Sequence, residues 1–392
     1  MSYVVRDEID VAVVGAGILG LSHAYAAVQR GLRVTVFERS GTPVGASIRN
    51  FGMSLVTGQP PGIMLELARQ SRNLWLDLAQ RAGFSLRETG TLLFSRSEAE
   101  HAVLEEFMGC RAAQHGYQAT LLEGEKLSAI YDGRFGHHRS ALHGTQDLQL
   151  YSREAIPALI TYLQSRGVRF HFNTLVKEAG DGRISSTAGE FRAQHVIVCS
   201  GHDYQTLFSA QLKAMNLQVC RLQMLRVAPL GHLPLGHAVM TGLSCPHYGA
   251  FADLPTVAGV RAEIEAKTPE LKRHGIHLLV SPTPHQELLI GDSHHYGIDA
   301  LPFNSEEVDN LLITLAEDTL GGRLKVLERW QGVYGNQGPG PFSVLAIDAR
   351  TTAVVMHTGI GMSVGLGLGE RVVSAKVNGI ALPDASINAE VA

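Results

Sequence analysis

The stretch from Ile9 to Glu38 constrains this chain most. Ile9-Asp10-Val11-Ala12-Val13-Val14 is a short, mostly apolar run, and Gly15-Ala16-Gly17-Ile18-Leu19-Gly20 follows it directly. An Ala-rich helical segment then ends near Gly31, and residues 32–38 (LRVTVFE) are β-branched and strand-like. This order is a βαβ unit. Gly15 permits a tight turn, Gly17 lets a pyrophosphate approach the backbone, and Gly20 lets helix and strand pack closely. The phosphates would face the free N–H groups and the positive end of the helix. Glu38 closes the second strand, where a carboxylate can accept hydrogen bonds from ribose hydroxyls. The alternative is a glycine-rich turn made for packing alone; the acidic residue at the end of the second strand favours a bound dinucleotide.

A chain of 392 residues is too long for one ordinary core, so two domains are expected. With 45% apolar and 18% charged residues, the balance is globular. The net charge of −4 and the lack of Lys/Arg runs give no basis for binding nucleic acid or an anionic membrane. Cys110, Cys199, Cys220 and Cys245 are scattered, as expected of reduced thiols in a cytoplasmic protein. The acidic start MSYVVRDEID does not read as a signal peptide, and no stretch reads as a membrane span.

Further along, residues 62–82, 97–116, 153–166 and 305–320 carry helical patterns. Residues 90–95, 168–172, 195–199, 276–281 and 287–291 read as strands. Residues 353–377 read as strand, glycine-rich turn and helix. The ends of the chain are α/β in pattern, and the middle is richer in strands. The expected fold class is α/β plus α+β: a Rossmann-like nucleotide domain built from discontinuous segments, with an inserted mixed-sheet domain.

Four patches then occur in one order along the chain. After the glycine-rich turn comes Arg39, then Gly45-Ala46-Ser47 and Arg49-Asn50-Phe51-Gly52. Val196-Ile197-Val198-Cys199-Ser200-Gly201 is a hydrophobic strand ending in a small-small-Gly turn. Gly359-Ile360-Gly361-Met362-Ser363 opens the last helix. Together these resemble the D-amino acid oxidase and glycine oxidase superfamily. The resemblance implies non-covalent FAD, since none of the cysteines falls where the family attaches flavin. It assigns the cofactor to Gly15, Ala16, Gly17, Ile18, Leu19, Gly20, Glu38, Arg39, Ala46, Ser47, Arg49, Asn50, Val176, Cys199, Ser200, Gly201, Gly359, Gly361, Met362 and Ser363. It also implies an FAD-binding domain from 1–85, 145–222 and 330–392, and a substrate domain from 86–144 and 223–329. The segments RNFGM (49–53), REAIPAL (153–159), GIHLLVS (275–281), IGDSHHYG (290–297) and ERWQGVY (328–334) resemble a subgroup linked to aminophosphonate breakdown.

The implied reaction is oxidation of a small amine, with hydride passing from its α-carbon to flavin N5 and electrons going on to oxygen or another acceptor. No lysine stands on Glu287-Leu288-Leu289-Ile290-Gly291, where several amine oxidases of the superfamily carry one. In glycine oxidase-like members, the strand Trp-x-Gly-x-Arg places an arginine over the flavin to hold a carboxylate. Here the stretch reads Trp330-Gln331-Gly332-Val333-Tyr334. A phenol cannot supply the bidentate, charged fork of a guanidinium. A simple α-amino acid is thus a less expected substrate, and the resemblance to the aminophosphonate-linked subgroup implies 2-aminoethylphosphonate or an N-methyl or hydroxy relative. The expected catalytic residues are Tyr334, His294, Tyr248 and Arg49, and the expected substrate contacts are Asn50, His247, His295, Tyr296, Trp330 and Gln331. Arg221 and Arg226 are further candidate cations, Arg329 is one that could equally be salt-bridged structure, and Asp292 is a candidate partner for a histidine. His137, His138 and His143 read as a solvent-exposed loop, and no metal motif is present. The alternatives are a glycine, sarcosine or D-amino acid oxidase, and a non-catalytic FAD-holding electron-transfer subunit. A monomer or a homodimer fits equally well.

Overall fold

The computed structural model describes residues 9–379. The expected FAD-domain stretches 1–8 and 380–392, and the start of the chain read for a signal peptide, lie outside the described residues. Two large sheets organise the rest.

The first sheet is built on the opening unit. Strand Ile9–Val14 pairs in parallel with Val34–Phe37 on one side and with Gly189–Val198 on the other. Arg169–His171 extends the sheet beyond Val34–Phe37, and Thr351–Met356 pairs in parallel with the end of Gly189–Val198. All four residues of Val34–Phe37 are buried, as parallel strands covered on both faces require. The helices Ile18–Val28, Ile63–Ala82, Ser152–Ser165 and Gly361–Asn378 share one hydrophobic core with this sheet. Helix Ile63–Ala82 ends where Gly83 turns left-handed at φ 73°.

The second sheet runs, in order, through His295–Gly297, Gln218–Pro229, Leu288–Gly291, Leu279–Pro282, Ala238–Thr241, Thr91–Ser95, Ser140–Gly144 and Ala119–Glu123. The long strand Leu324–Asn336 pairs antiparallel along Gln218–Pro229. Helix Glu306–Leu320 packs into a second core against this sheet. The expected divisions at 222/223 and 329/330 fall inside Gln218–Pro229 and Leu324–Asn336. Both strands run their whole length in the second sheet.

Three local expectations change. The helix expected over 97–116 is one helical run with an irregular middle: Glu98–Glu106 passes into a wider π turn at Phe107–Ala112, then a last turn ends at left-handed Gly116. Two helices not read in the sequence, Val257–Lys267 and Pro269–Arg273, lie in the strand-rich middle. Thr268-Pro269 separates them; the second is a single short turn, and in the first only Val257 and Val260 are buried, so no apolar stripe marks it. His138 is no surface residue: it is 5% exposed and stacks on Phe94 with ring centroids 4.3 Å apart. Burial holds its imidazole neutral, with a pKa lowered to about 4. No helix among the described residues is long and apolar enough to cross a membrane.

Candidate functional site

A cleft of about 910 Å³ lies between the two sheets. That is at the upper end of the roughly 300–1,000 Å³ usual for ligand pockets. One end is built by the opening βαβ unit. Gly15 sits at φ +99°, and a Cβ there would come 2.3 Å from the carbonyl oxygen of Cys199. The first turn and the Cys199-Ser200-Gly201 turn are thereby pressed together, and both line the cleft. A Cβ on Gly20 would stand 1.8 Å from the carbonyl oxygen of Gly15, so this glycine shapes the turn without lining the cleft. The Glu38 carboxylate lines the cleft and accepts from the Ala16 N–H at 2.9 Å and the Ser40 N–H at 3.0 Å. Two donors leave a carboxylate with acceptor capacity for a further ligand. Ser47 Oγ accepts from the Ile18 N–H at 2.8 Å and caps the first helix.

The starts of two helices face the cleft, through Ile18 and Leu19 and through Gly361 and Met362. Each start carries positive partial charge suited to phosphate or to an anionic ring oxygen. Arg39, Ala46, Arg49, Asn50, Val176 and Gly359 complete this part of the wall. These residues fit an elongated dinucleotide: glycines where the backbone must be approached, a carboxylate at the ribose position, and helix starts between. Ala16 and Ser363 stand behind the wall, where Ser363 Oγ accepts from the Leu55 N–H at 2.9 Å. Asn50 is committed to its own loop: its side chain donates to Ala46 O at 2.9 Å and accepts from the Gly52 N–H at 2.7 Å. It holds the loop in shape.

The other end of the cleft is lined by Tyr334, Tyr248, Tyr296, His247, His294 and His277, with Asp292 among them. Alternation along Gln218–Pro229 places Leu222 and Met224 on the cleft wall. Cys220 lies opposite Tyr334 in the ladder with Leu324–Asn336. A Cβ on Gly359 would lie 3.2 Å from the Tyr334 ring, so that ring packs on the C-terminal glycine turn. The imidazoles of His247, His277 and His294 are stacked, with centroids 4.3 Å apart for the first two and 4.9 Å for the last two. Burial pushes the Tyr334 and Tyr248 phenols well above their usual range and lowers His247 to about 4 and His277 well below 6.5. It also raises the carboxyl of Asp292.

Several sequence-named residues stand elsewhere. Trp330 and Gln331 border a separate, shallower depression: Trp330 Nε1 donates to Arg49 O at 3.1 Å, and Gln331 Nε2 donates to Leu301 O and Asn304 Oδ1. His295 faces His274, Nε2 to Nδ1 at 3.2 Å, away from the cleft. Arg221, on the opposite face of its strand from Leu222 and Met224, donates to Leu301 O and Phe303 O. Arg226 is held by Glu287 and Glu328, and Arg329 by Asp309. Of these candidate cations only Arg49 lines the cleft, with its guanidinium donating to Gln331 O at 3.3 Å.

Sequence reasoning does not single out His277. It lies fifteen and seventeen residues from Asp292 and His294. Antiparallel pairing of Leu279 with Gly291 brings the residues before one strand and after the other side by side. The signal is present only as two separate His-bearing segments.

Residues 10–375 match the DAO family of FAD dependent oxidoreductases. The chain belongs to this family. A glycine oxidase of Bacillus licheniformis is 25% identical over 215 residues, which is 50% of this chain and 55% of that protein. The match thus spans about half the length of that curated relative. Among solved structures, L-proline dehydrogenase from P. horikoshii superposes with a TM-score of 0.78 at 16% identity, covering 97% of this chain and 98% of that one. Glycine oxidase from Bacillus cereus superposes with a TM-score of 0.77 at 16% identity, covering 96% of each. The fold is the one expected from the sequence.

Proposed function

We propose that this chain oxidises the C–N bond of a small primary or secondary amine whose anionic end is not a carboxylate gripped by arginine. 2-Aminoethylphosphonate, or an N-methyl or hydroxy relative, is the substrate this reading favours. The observation that carries it is Tyr334 packed against Gly359, at the position where the glycine oxidase-like pattern has its arginine. FAD, when bound, supplies the two-electron acceptor for the C–H bond next to nitrogen.

The chain's own residues place and prepare the amine. Burial that keeps His247 and His277 neutral also disfavours an ammonium ion, so the amine is held as the free base required for oxidation. Tyr334 and Tyr248 keep their phenolic protons at neutral pH and act as hydrogen-bond donors. Tyr296, half exposed, stands at the mouth of the cleft. The product imine is hydrolysed by water to an aldehyde and ammonia or a small amine. Electrons leave to oxygen or another acceptor.

A glycine, sarcosine or D-amino acid oxidase is the second reading, favoured by the glycine oxidase relative, with Arg49 as its carboxylate contact. Anaerobic bleaching of the flavin by aminophosphonates against glycine, sarcosine and D-amino acids separates the two. A second check concerns Tyr334 itself. Tyr334→Phe lowers kcat/KM for the preferred amine by roughly 10–100-fold, the value of a hydrogen bond to a charged group. FAD content stays unchanged. Wild-type kinetics in this variant would reduce Tyr334 to packing.

A further inference from the structure

The side chains of His277, Asp292 and His294 come together at the end of the cleft. His294 Nδ1 lies 2.8 Å from Gly275 O, so that nitrogen carries the proton and donates. Ser244 Oγ lies 2.9 Å from His277 O, which also accepts from Thr241 Oγ1, and 3.2 Å from His277 Nδ1. With the Ser244 proton on that carbonyl, His277 Nδ1 is the donor and Ser244 Oγ the acceptor. In that arrangement the lone pair of each ring is on Nε2, and both Nε2 atoms face the same carboxylate. His277 Nε2 is 3.6 Å from Asp292 Oδ1, and His294 Nε2 is 3.9 Å from Asp292 Oδ2. Asp292 Oδ1 is buried and has no hydrogen-bond partner among the described residues. The exposures of His277 and Asp292 are 4% and 6%. A buried carboxylate oxygen with no donor is unfavourable unless a proton or a metal cation meets it.

We infer that His277, Asp292 and His294 form a binding site for one divalent transition-metal ion of the zinc type at the end of the cleft. Ligand atoms from the three residues lie within 4.8 Å of one another. Donors at about 2.1 Å from a common ion stand at most about 4.2 Å apart. Both carboxylate–imidazole gaps are inside that limit, and small side-chain rotations close the remainder. The outer shell is also the usual one: a ligating histidine donates its other N–H to a carbonyl or hydroxyl, which fixes ring and tautomer. Gly275 O and Ser244 Oγ fill that role. Two imidazoles and one carboxylate leave a coordination position free, as in sites that bind an exchangeable ligand. All three residues line the cleft, so that position opens into it.

The ion would supply the positive charge that Tyr334 does not, and would take an anionic oxygen of the substrate. This last step rests on the amine-oxidation reading; the metal site does not.

The test uses the FAD-loaded protein, stripped with a chelator and titrated with Zn²⁺ alone by calorimetry. One ion per chain binds. Asp292→Asn and His294→Gln, both near-isosteric, each weaken binding by roughly 100-fold or more, beyond the loss of an outer-shell partner. His285→Gln, at an exposed histidine paired with Glu154, leaves it unchanged. Retained flavin absorbance and melting temperature show that the variants are folded. Absence of stoichiometric Zn²⁺ binding, or equal binding by the folded variants, overturns the proposal. Flavin bleaching by an amine in protein that binds no Zn²⁺ would remove the ion and leave amine oxidation standing. Zn²⁺ binding without bleaching by any amine would do the reverse.

Discussion

Gly17→Val gives a folded protein that purifies without yellow colour. Gly17 has φ −73° and ψ 177°, an extended conformation open to any residue. A Cβ there meets only Ser47 Oγ at 3.1 Å, so the cap that Ser47 places on the Ile18 N–H must shift by a few tenths of an ångström, with no backbone in the way. The fold therefore has little need of this glycine. The cleft does, because Gly17 lines it beside the helix start where a pyrophosphate must approach the backbone. A branched side chain keeps the phosphates away from the N–H groups. FAD affinity falls by at least roughly 100-fold, or about 2.7 kcal/mol. Fluorescence titration of FAD and a melting curve of the apoprotein together check it. A yellow variant, or one that fails to fold, contradicts this account of Gly17.

The second large effect concerns Asp147. It is 1% exposed, and its Oδ1 accepts from the Val56 N–H at 2.6 Å and the Thr57 N–H at 2.9 Å. It thereby pins the segment running into Gly58, Gln59, Pro60 and Pro61, which wall the cleft. Asp147→Ala leaves two buried donors unmet and destabilises the protein by about 3 kcal/mol. Burial outweighs those hydrogen bonds and raises the carboxyl to about 6. A folded pKa above the unfolded value of about 3.9 means stability is fully present below about pH 4. It is lost as the pH rises through about 6. Each tenfold difference in proton affinity between the folded and unfolded chain is worth about 1.4 kcal/mol, so the loss approaches about 3 kcal/mol. Asp147→Asn keeps the acceptor and removes the titration. Urea unfolding from pH 4 to 7 should therefore show wild type losing about that much relative to Asp147→Asn. Parallel profiles would contradict it.

Much of the cofactor half was legible in the sequence. Strand Ile9–Val14, helix Ile18–Val28 and strand Val34–Phe37 stand where periodicity and glycine spacing put them. Gly20 answers to the nearby carbonyl of Gly15, whereas Gly15 answers to Cys199, which the parallel pairing of Val14 with Val198 brings beside it. The substrate half was less legible for a different reason. Arg221, Arg226 and Arg329 are cations of the right type, but their partners are Leu301, Phe303, Glu287, Glu328 and Asp309. Strand pairing decides which of them turns away from the cleft. The same pairing gathers His277, Asp292 and His294, which no spacing motif connects. Tyr334 needed no such help, since its pattern of neighbours along one strand already marked it.

Amine oxidation at the Tyr334 end of the cleft is the central claim, and anaerobic flavin bleaching tests it most directly. FAD-loaded protein is mixed in turn with 2-aminoethylphosphonate, its N-methyl and hydroxy relatives, glycine, sarcosine and D-alanine, and absorbance near the flavin maximum is followed. The account predicts rapid bleaching by at least one aminophosphonate and slow or no bleaching by the amino acids. Bleaching by the amino acids alone would contradict the aminophosphonate reading, and bleaching by none of the amines would contradict amine oxidation itself.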